Sequence, residues 1–175
     1  MKNEAIENLL TRRSVRAYKP DAVPAGLLDA VLEAGLYAPS GMNRQPVTLV
    51  AVTDRAVRDR LSEMNAAVMG RAGSDPFYGA PAVIVVLTDP AASPTAEEDG
   101  ALALGNLMNA AHAAGLGSCW IHRAREEFDS PEGKALLRGW GLPETLRGVG
   151  HCILGYAAGG EPEAKPRREG RVVRV

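Results

Sequence analysis

The stretch Thr11–Tyr18, with the sequence TRRSVRAY, carries three guanidinium groups and two aliphatic hydroxyls within eight residues. In an extended conformation Arg12, Ser14 and Arg16 would share one face, with neighbouring side chains about 7 Å apart. In a helix Arg12 and Arg16 would still share a face at i,i+4, whereas Ser14 would leave it. Either arrangement aims two rigid guanidinium forks the same way, which suits a planar or phosphate-bearing anion. The alternative is a basic turn that ends a helix, where arginine favours the negative end of the helix dipole.

A second stretch that could bind a ligand is Pro39–Pro46, with the sequence PSGMNRQP. Asn43 and Gln45 are two residues apart, so an extended loop would aim both amides the same way. Each amide offers a donor and an acceptor, which is what binding the mixed polar edge of a heterocycle requires. The alternative is an ordinary turn between a helix and a strand, which Ser, Gly and Asn favour.

The apolar periodicity of the chain predicts the elements that position these stretches. Helices are predicted over residues 3–11, 25–37, 55–69, 96–114 and 131–140, and strands over residues 48–53, 82–88, 117–122 and 148–156. Asp54 and Ser130 are predicted N-caps, and Thr95–Glu98 has the pattern of a capping box. Helix 96–114 is apolar nearly all round, which predicts burial in a core or against another subunit. The order of helices and strands predicts an α/β or α+β fold around about four strands.

Composition limits the function classes. With 175 residues, of which 46% are hydrophobic, the sequence predicts a single globular domain over residues 1–175. The formal net charge of −1 argues against nucleic-acid binding by bulk charge. We expect no signal peptide and no membrane span, because no long uncharged apolar run is present. Cys119 and Cys152 lie in apolar runs and are expected to be buried free thiols, which suits the cytoplasm.

Other candidate residues favour structural roles. Cys119 and His122, or His151 and Cys152, could be metal ligands by residue type, but residues three apart or adjacent in a strand point to opposite faces. We therefore predict no metal site. His112 is expected to be a satisfied core or interface histidine. Three acidic residues are expected to be charges of the first helical turn: Glu97, Glu98 and Asp99.

Taken together, the two ligand-binding stretches resemble the nitroreductase family of FMN-dependent oxidoreductases. The resemblance continues through PFYGAP at 76–81, GLGSCWI at 115–121 and the basic KPRR at 165–168. It therefore covers nearly the whole chain, in order. It departs at Val47, where the family usually has an aromatic residue.

The resemblance implies an α+β fold, with a central mixed β-sheet covered by helices, in an intertwined homodimer that has an FMN site at each interface. The tail 157–175 would pack on the partner subunit. The phosphate of FMN would be held by residues near both chain ends, with Arg13 assisting: Arg12, Arg13, Ser14, Lys165 and Arg167 or Arg168. Arg16 would lie by N1 and the C2 carbonyl of the flavin. The other subunit would contribute Pro39, Ser40, Gly41, Asn43 and Gln45. The backbone near O4 and N5 of the flavin would come from Trp120, Ile121 and His122.

Physical chemistry agrees with that site. The phosphate of FMN carries about two negative charges, for which clustered arginines are suitable partners. Reduction places negative charge at N1 of the flavin, where a guanidinium stabilises it. Because the flavin supplies the hydride chemistry, we expect no catalytic residue, and Arg16 would tune the flavin.

The expected activity is hydride transfer from NAD(P)H and reduction of a small-molecule acceptor, a nitroaromatic, a quinone or a related compound, by a ping-pong mechanism. One alternative is other FMN chemistry on the same fold, as in a flavin reductase or a reductive dehalogenase. Another is a flavin-binding module without catalytic activity.

Overall fold

A computed structural model of the protein describes residues 3–160 and 162–175. The helices are α1 (Glu4–Thr11), α2 (Ala25–Leu36), α3 (Arg55–Val68), α4 (Ala96–Ala113), α5 (Ala124–Asp129) and α6 (Pro131–Gly139), with a 3₁₀ turn at Gly41–Asn43. The strands are β1 (Val47–Val52), β2 (Ala82–Thr88), β3 (Gly117–Ile121) and β4 (Arg147–Gly155). The predicted α+β class is confirmed, and the predicted element bounds agree to within two residues at most ends.

The four strands form one sheet in the order β1-β2-β4-β3, and each neighbouring pair is antiparallel. Within the described residues, the parallel component that a mixed sheet requires is a single bridge between Ser14 and Ser118. β2 is central, and all seven of its residues are buried, as its continuous apolar run predicts. β3 lies at one edge of the sheet, so its outer backbone groups face other parts of the chain.

Helices cover both faces of the sheet. Alternate residues of β2 belong to two separate hydrophobic clusters, so its side chains supply both cores. The first core contains Phe77 and Phe128 beneath α3, α5 and α6, and the second contains Leu104 and Leu107 of α4. Each of these side chains contributes about 1.5–3 kcal/mol by its burial. The sheet is therefore packed on both faces, which fixes the positions of the segments at its edges.

Three predicted helix starts, at Asp54, Thr95 and Ser130, are confirmed, but the predicted side-chain cap at Thr95 is wrong. The Asp54 side chain accepts a hydrogen bond from the Val57 amide at 2.9 Å, and Ser130 accepts one from Gly133 at 3.1 Å. Thr95 makes no side-chain cap, so the predicted capping box does not form. Its hydroxyl instead donates to a buried carboxylate within the same helix. Helix α5 was not predicted, because six residues with the sequence AREEFD carry too little apolar periodicity.

The N-terminal helix lies on the surface. No residue of α1 is buried, and Ile6, Leu9 and Leu10 are more than half exposed. Thr11 Oγ1 lies 2.9 Å from Nε2 of His112, and this contact links α1 to α4. His112 is therefore a satisfied histidine, as predicted. Among the described residues, no helix has both the length and the apolar content needed to cross a membrane.

Candidate functional site

The main candidate site is a cleft of about 360 Å³ beside the outer edge of β3. Its lining includes Arg16 and the end of β3 at Trp120, Ile121 and His122. The structure thus brings together four of the residues that the sequence singled out, from positions more than 100 residues apart. The opposite wall is the loop between α3 and β2, which contributes Tyr78.

Arg16 reaches this cleft because its segment is fastened along the sheet edge. The Val15 amide donates to the Ser118 carbonyl at 2.9 Å, and the Lys19 amide donates to the Tyr156 carbonyl at 2.8 Å. Val15 is buried and Arg16 is exposed, which is the alternation of an extended segment. The Tyr18 hydroxyl donates to the Val15 carbonyl at 2.8 Å, and burial raises the pKa of this phenol well above its usual value. Tyr18 therefore stays a neutral donor that holds the segment.

The β3 residues present mainly their backbone to the cleft. Cys119 and Ile121 are buried in the first core, whereas the indole of Trp120 lies against Gly150 on the opposite face of the sheet. Because these side chains leave the strand toward its two faces, they do not cover its outer edge, where the Ser118 carbonyl already accepts from the Val15 amide.

The two leading arginines of the first stretch have different environments. Arg13 Nη1 donates to the Leu10 carbonyl at 2.7 Å and to the Arg12 carbonyl at 2.8 Å, so its guanidinium satisfies the end of α1. Arg12 Nη1 is buried and has no hydrogen-bond partner among the described residues, and the same is true of Ser118 Oγ. A buried unpaired donor costs about 1–3 kcal/mol. Both atoms are thus candidates to bind an oxyanion.

The second stretch is not extended, and it adopts the turn that was the alternative interpretation. Met42, Asn43 and Gln45 have φ angles of 53°, 55° and 49°, and the loop contains a 3₁₀ turn. The Ser40 hydroxyl accepts a hydrogen bond from the Gln45 amide at 3.0 Å, which closes the loop on itself. The two side-chain amides nevertheless meet, because Gln45 Nε2 donates to Asn43 Oδ1 at 3.0 Å.

Asp99 is a charge of the first turn of α4, as predicted, and it also anchors this loop. Its buried carboxylate accepts hydrogen bonds from the Gly41 amide at 2.9 Å and from the hydroxyls of Ser93 and Thr95 at 3.0 and 3.2 Å. A Cβ on Gly41 would lie 2.3 Å from Thr95 Oγ1, so the close approach requires glycine. Asp99 was recognisable in the sequence, since it lies on the i, i+4 stripe of α4 with Ala103.

Not all predicted site residues meet within one chain. Pro39, Ser40 and Gln45 line a separate cavity of about 140 Å³. The tail residues Lys165, Arg167 and Arg168 are exposed and do not line the cleft. The expectation that a partner subunit supplies the second stretch stays a prediction.

The loop that forms the opposite wall of the cleft is fastened by a buried arginine. Arg58 is 4% exposed and donates to Asp75 Oδ2 at 2.6 Å and to the Ala80 carbonyl at 3.1 Å. Asp75 also accepts from the Ser62 hydroxyl at 2.6 Å and from the Gly79 amide at 2.7 Å. This carboxylate therefore shapes the wall that contains Tyr78, a non-glycine residue held at a φ of 53°.

We expect the stability of the protein to fall in acid partly through Asp75. Burial opposes its ionisation, but hydrogen bonds from the Arg58 guanidinium, a hydroxyl and a backbone amide outweigh burial and lower the pKa. Such a group contributes stability that is present above its unfolded pKa of about 3.9 and lost as the pH falls through the folded value. Urea unfolding between pH 3 and 7 should therefore show a steeper acid loss in wild type than in Asp75→Asn. Equal slopes would contradict this role.

A buried polar network lies beneath the cleft, and the sequence analysis missed it. Asn65 Nδ2 donates to the His122 carbonyl at 2.8 Å and to the Glu127 carboxylate. His151 Nε2 lies 3.0 Å from Glu127 Oε2, and neither side chain is exposed. His151 contacts Phe77 of the first core, whereas Cys152 belongs to the second. The two neighbours point to opposite faces, as strand alternation predicts.

Comparison with known proteins agrees with this arrangement. The sequence model of the Nitroreductase family matches residues 9–156. A crystal structure of a nitroreductase with bound FMN from Bacteroides fragilis superposes with a TM-score of 0.90 at 33% identity, over 99% of this chain and 100% of that chain. A protein from Archaeoglobus fulgidus, assigned as an NADH dehydrogenase/NAD(P)H nitroreductase, is 32% identical over 87% of this chain and 85% of its own length. An FMN reductase [NAD(P)H] of Bacillus subtilis is 28% identical over 89% of this chain and 67% of its own. The family match over most of the chain, together with these likenesses, shows that the protein belongs to the nitroreductase family.

Proposed function

We propose that this protein is an FMN-dependent oxidoreductase that takes hydride from NAD(P)H and reduces a nitroaromatic, a quinone or a related acceptor by a ping-pong mechanism. The observation that carries the proposal is the cleft at the β3 edge, which Arg16 lines together with Trp120, Ile121 and His122. A volume of about 360 Å³ is within the range of small-molecule and cofactor pockets. Relatives and solved structures that bind FMN or use NAD(P)H support the same reaction class.

The residues of this chain fit FMN. Its phosphate would satisfy the buried Arg12 Nη1, which has no partner among the described residues. Ser14 would add a hydroxyl there, and Arg13 its backbone, because the Arg13 guanidinium is engaged at the end of α1. We propose that Lys165 and Arg167 or Arg168 complete the phosphate site from the exposed tail. When bound, FMN supplies the hydride chemistry.

The chain's own groups would orient and polarise the bound ring. Arg16 provides a positive charge in the lining of the cleft, and that charge favours extra negative charge nearby. Outer-edge backbone amides of β3 would donate to the polar edge of the ring, and backbone carbonyls would accept from it. The loop held by Asp75 walls the cleft, which limits water around the reacting atoms.

A homodimer would bring the second stretch to this site. α1 leaves Leu9 and Leu10 at 60% and 64% exposure, and Tyr37 and Met42 are also largely exposed. An apolar surface of this kind indicates a protein interface. We propose that a second copy covers it, that the tail 157–175 packs on that copy, and that Asn43 and Gln45 then reach the partner's FMN. Analytical ultracentrifugation of dilute protein should show a dimer, and a monomer that binds FMN would contradict this arrangement.

The compartment follows from the cysteines. Cys119 and Cys152 are both buried, on opposite faces of the sheet, so they cannot pair with each other. Two buried free thiols suit a reducing compartment, and we propose the cytoplasm.

The test combines cofactor and turnover. The purified protein should be yellow and should release FMN, not FAD, on denaturation. NAD(P)H oxidation should depend on an added nitroaromatic or quinone, with parallel double-reciprocal plots. Faster turnover with free flavin as acceptor would favour a flavin reductase, and bound FMN without turnover would favour a non-catalytic module. No flavin uptake after reconstitution would refute the cofactor assignment.

A further inference from the structure

Two arginines that line the cleft were not among the site residues predicted from the sequence. Arg71 and Arg123 line it together with Arg16. The acidic side chain of the lining, Asp75, is already paired with the buried Arg58. The cleft therefore carries more positive charge than binding of a flavin ring at Arg16 requires.

Arg123 is held in a defined position. Its Nε donates to Asn65 Oδ1 at 2.9 Å, and its backbone has a φ of 82°, which is rare for a residue with a side chain. With Nε occupied by Asn65, both Nη nitrogens remain as donors, because the described residues make no hydrogen bond to them. A left-handed backbone at a non-glycine residue costs about 1 kcal/mol or more, and such strain is concentrated at functional sites.

The residue that holds Arg123 is itself fixed from beneath. Asn65 is fully buried, and its amide nitrogen donates to the His122 carbonyl and to Glu127. Glu127 is also contacted by His151 within the core. One asparagine thus sets both the guanidinium of Arg123 and the backbone at His122. A cation that is fixed before binding loses little conformational entropy when a ligand arrives.

We propose that Arg123, positioned by Asn65 and assisted by Arg71, binds an oxyanion carried by the substrate that enters the cleft. A guanidinium fork is matched to a phosphate or a carboxylate, which it can bind with two parallel hydrogen bonds. The oxyanion could come from the phosphates of NAD(P)H or from a carboxylate on an aromatic acceptor. This inference rests on the proposed function and names the residue that selects charged substrates at the same site.

The test replaces the cation and keeps its shape. Arg123→Gln removes the charge, and Arg125→Gln is the matched control, because Arg125 lies two residues further, is exposed and pairs with Glu97 outside the cleft. Steady-state kinetics should be measured for both variants with NADH, NADPH and uncharged 1-benzyl-1,4-dihydronicotinamide. The acceptor arm compares 4-nitrobenzoate with its neutral match, 4-nitrobenzamide.

If the phosphates of the reductant are the ligand, Arg123→Gln should raise KM for NADH and NADPH about tenfold relative to the uncharged donor. If the acceptor's carboxylate is the ligand, Arg123→Gln should instead raise KM for 4-nitrobenzoate by the same factor relative to KM for 4-nitrobenzamide. Arg123→Lys should restore part of either ratio, because it keeps the charge and loses the fork. Equal effects on charged and uncharged substrates, or an equal effect in Arg125→Gln, would overturn the proposal.

Asn65→Ala tests the positioning role. It leaves Arg123 in the chain but removes its acceptor, so the ratio of KM for charged over uncharged substrate should rise while thermal unfolding reports any loss of stability. A loss of stability with an unchanged ratio would mean that Asn65 is only structural, and the proposed positioning would be wrong.

Equilibrium measurements separate this inference from the proposed function. Calorimetric titration of the FMN-loaded protein with NAD⁺ and with benzoate should show binding that weakens with salt and with Arg123→Gln. The dissociation constant of FMN should stay within about threefold of wild type, a change of under 1 kcal/mol. The reason is that the phosphate of FMN is proposed to bind at Arg12 and not at Arg123. If FMN is lost instead, Arg123 binds the cofactor and the inference fails. If wild type takes up no flavin, the proposed function fails first.

Discussion

Arg16→Ala should slow reduction of the bound flavin by NAD(P)H about ten- to a hundredfold, while much of the FMN affinity is kept. Arg16 faces the cleft from an extended segment, apart from Arg12, whose buried nitrogen suits the phosphate. A positive charge beside the ring stabilises negative charge that is present only after hydride has arrived, so its loss affects rate more than binding. A charge-assisted contact is worth about 1.5–3 kcal/mol, which gives the stated range. The measurements are stopped-flow reduction rate, flavin midpoint potential and FMN dissociation constant.

Arg12→Ala is the contrasting variant. It should mainly release FMN, and the fraction that stays bound should be reduced at a rate close to wild type. The midpoint potential should fall in Arg16→Ala and change little in Arg12→Ala. If Arg16→Ala loses FMN as readily as Arg12→Ala and its potential is unchanged, the two roles are wrongly assigned.

Arg58→Met should lower the free energy of unfolding by about 2–4 kcal/mol and loosen the wall of the cleft. The guanidinium is 4% exposed, pairs with Asp75 and lies 5.5 Å from the centre of the Phe77 ring. Methionine fills similar volume but leaves the Asp75 carboxylate and the Ala80 carbonyl without this donor. Because Asp75 keeps partial access to water, the loss should be smaller than for a fully buried pair. Urea unfolding followed by circular dichroism measures it.

Two variants sharpen that test. Arg55→Ala lies one turn away on the same helix, and its side chain is 83% exposed in an ion pair with Asp59, so its stability should match wild type. The double variant Arg58→Met with Asp75→Asn should recover part of the loss, because the unpaired charge is gone. If Arg58→Met is as stable as wild type, the ion pair does not hold the loop. Faster proteolysis between residues 70 and 81 would report the loosened wall directly.

Most helix and strand positions followed from the pattern of residues along the chain, and that pattern limited the fold to the α/β or α+β class. The choice of α+β came from the resemblance to the nitroreductase family. The apolar run of β2 predicts a central strand without reference to its neighbours, because a strand buried on both faces needs apolar side chains on both. Asp54 and Ser130 mark helix starts by hydrogen bonds within a few residues. Such short-range chemistry is contained in short windows of sequence.

The conformation of the loop at residues 39–46 could not be predicted from short windows of sequence. The stretch Pro39–Pro46 folds into a closed turn. Asp99, which lies far along the chain, holds the turn by accepting a hydrogen bond from the Gly41 amide. A short sequence window does not contain this partner, so the sequence left open both an extended loop and the turn with three positive φ angles that forms.

The sequence by itself determined the family, the fold class and the arginines that suit an anion. Only the tertiary structure decided which of them meet: it placed Arg16 in the cleft and left the second stretch at a separate cavity. It also revealed that Arg123 lines the cleft and is held by Asn65. An arginine in a loop or an asparagine in a helix does not by itself indicate a site. The physical reason is that a side chain's chemistry depends on its partners and burial, and these are set by contacts between segments that lie far apart in the chain.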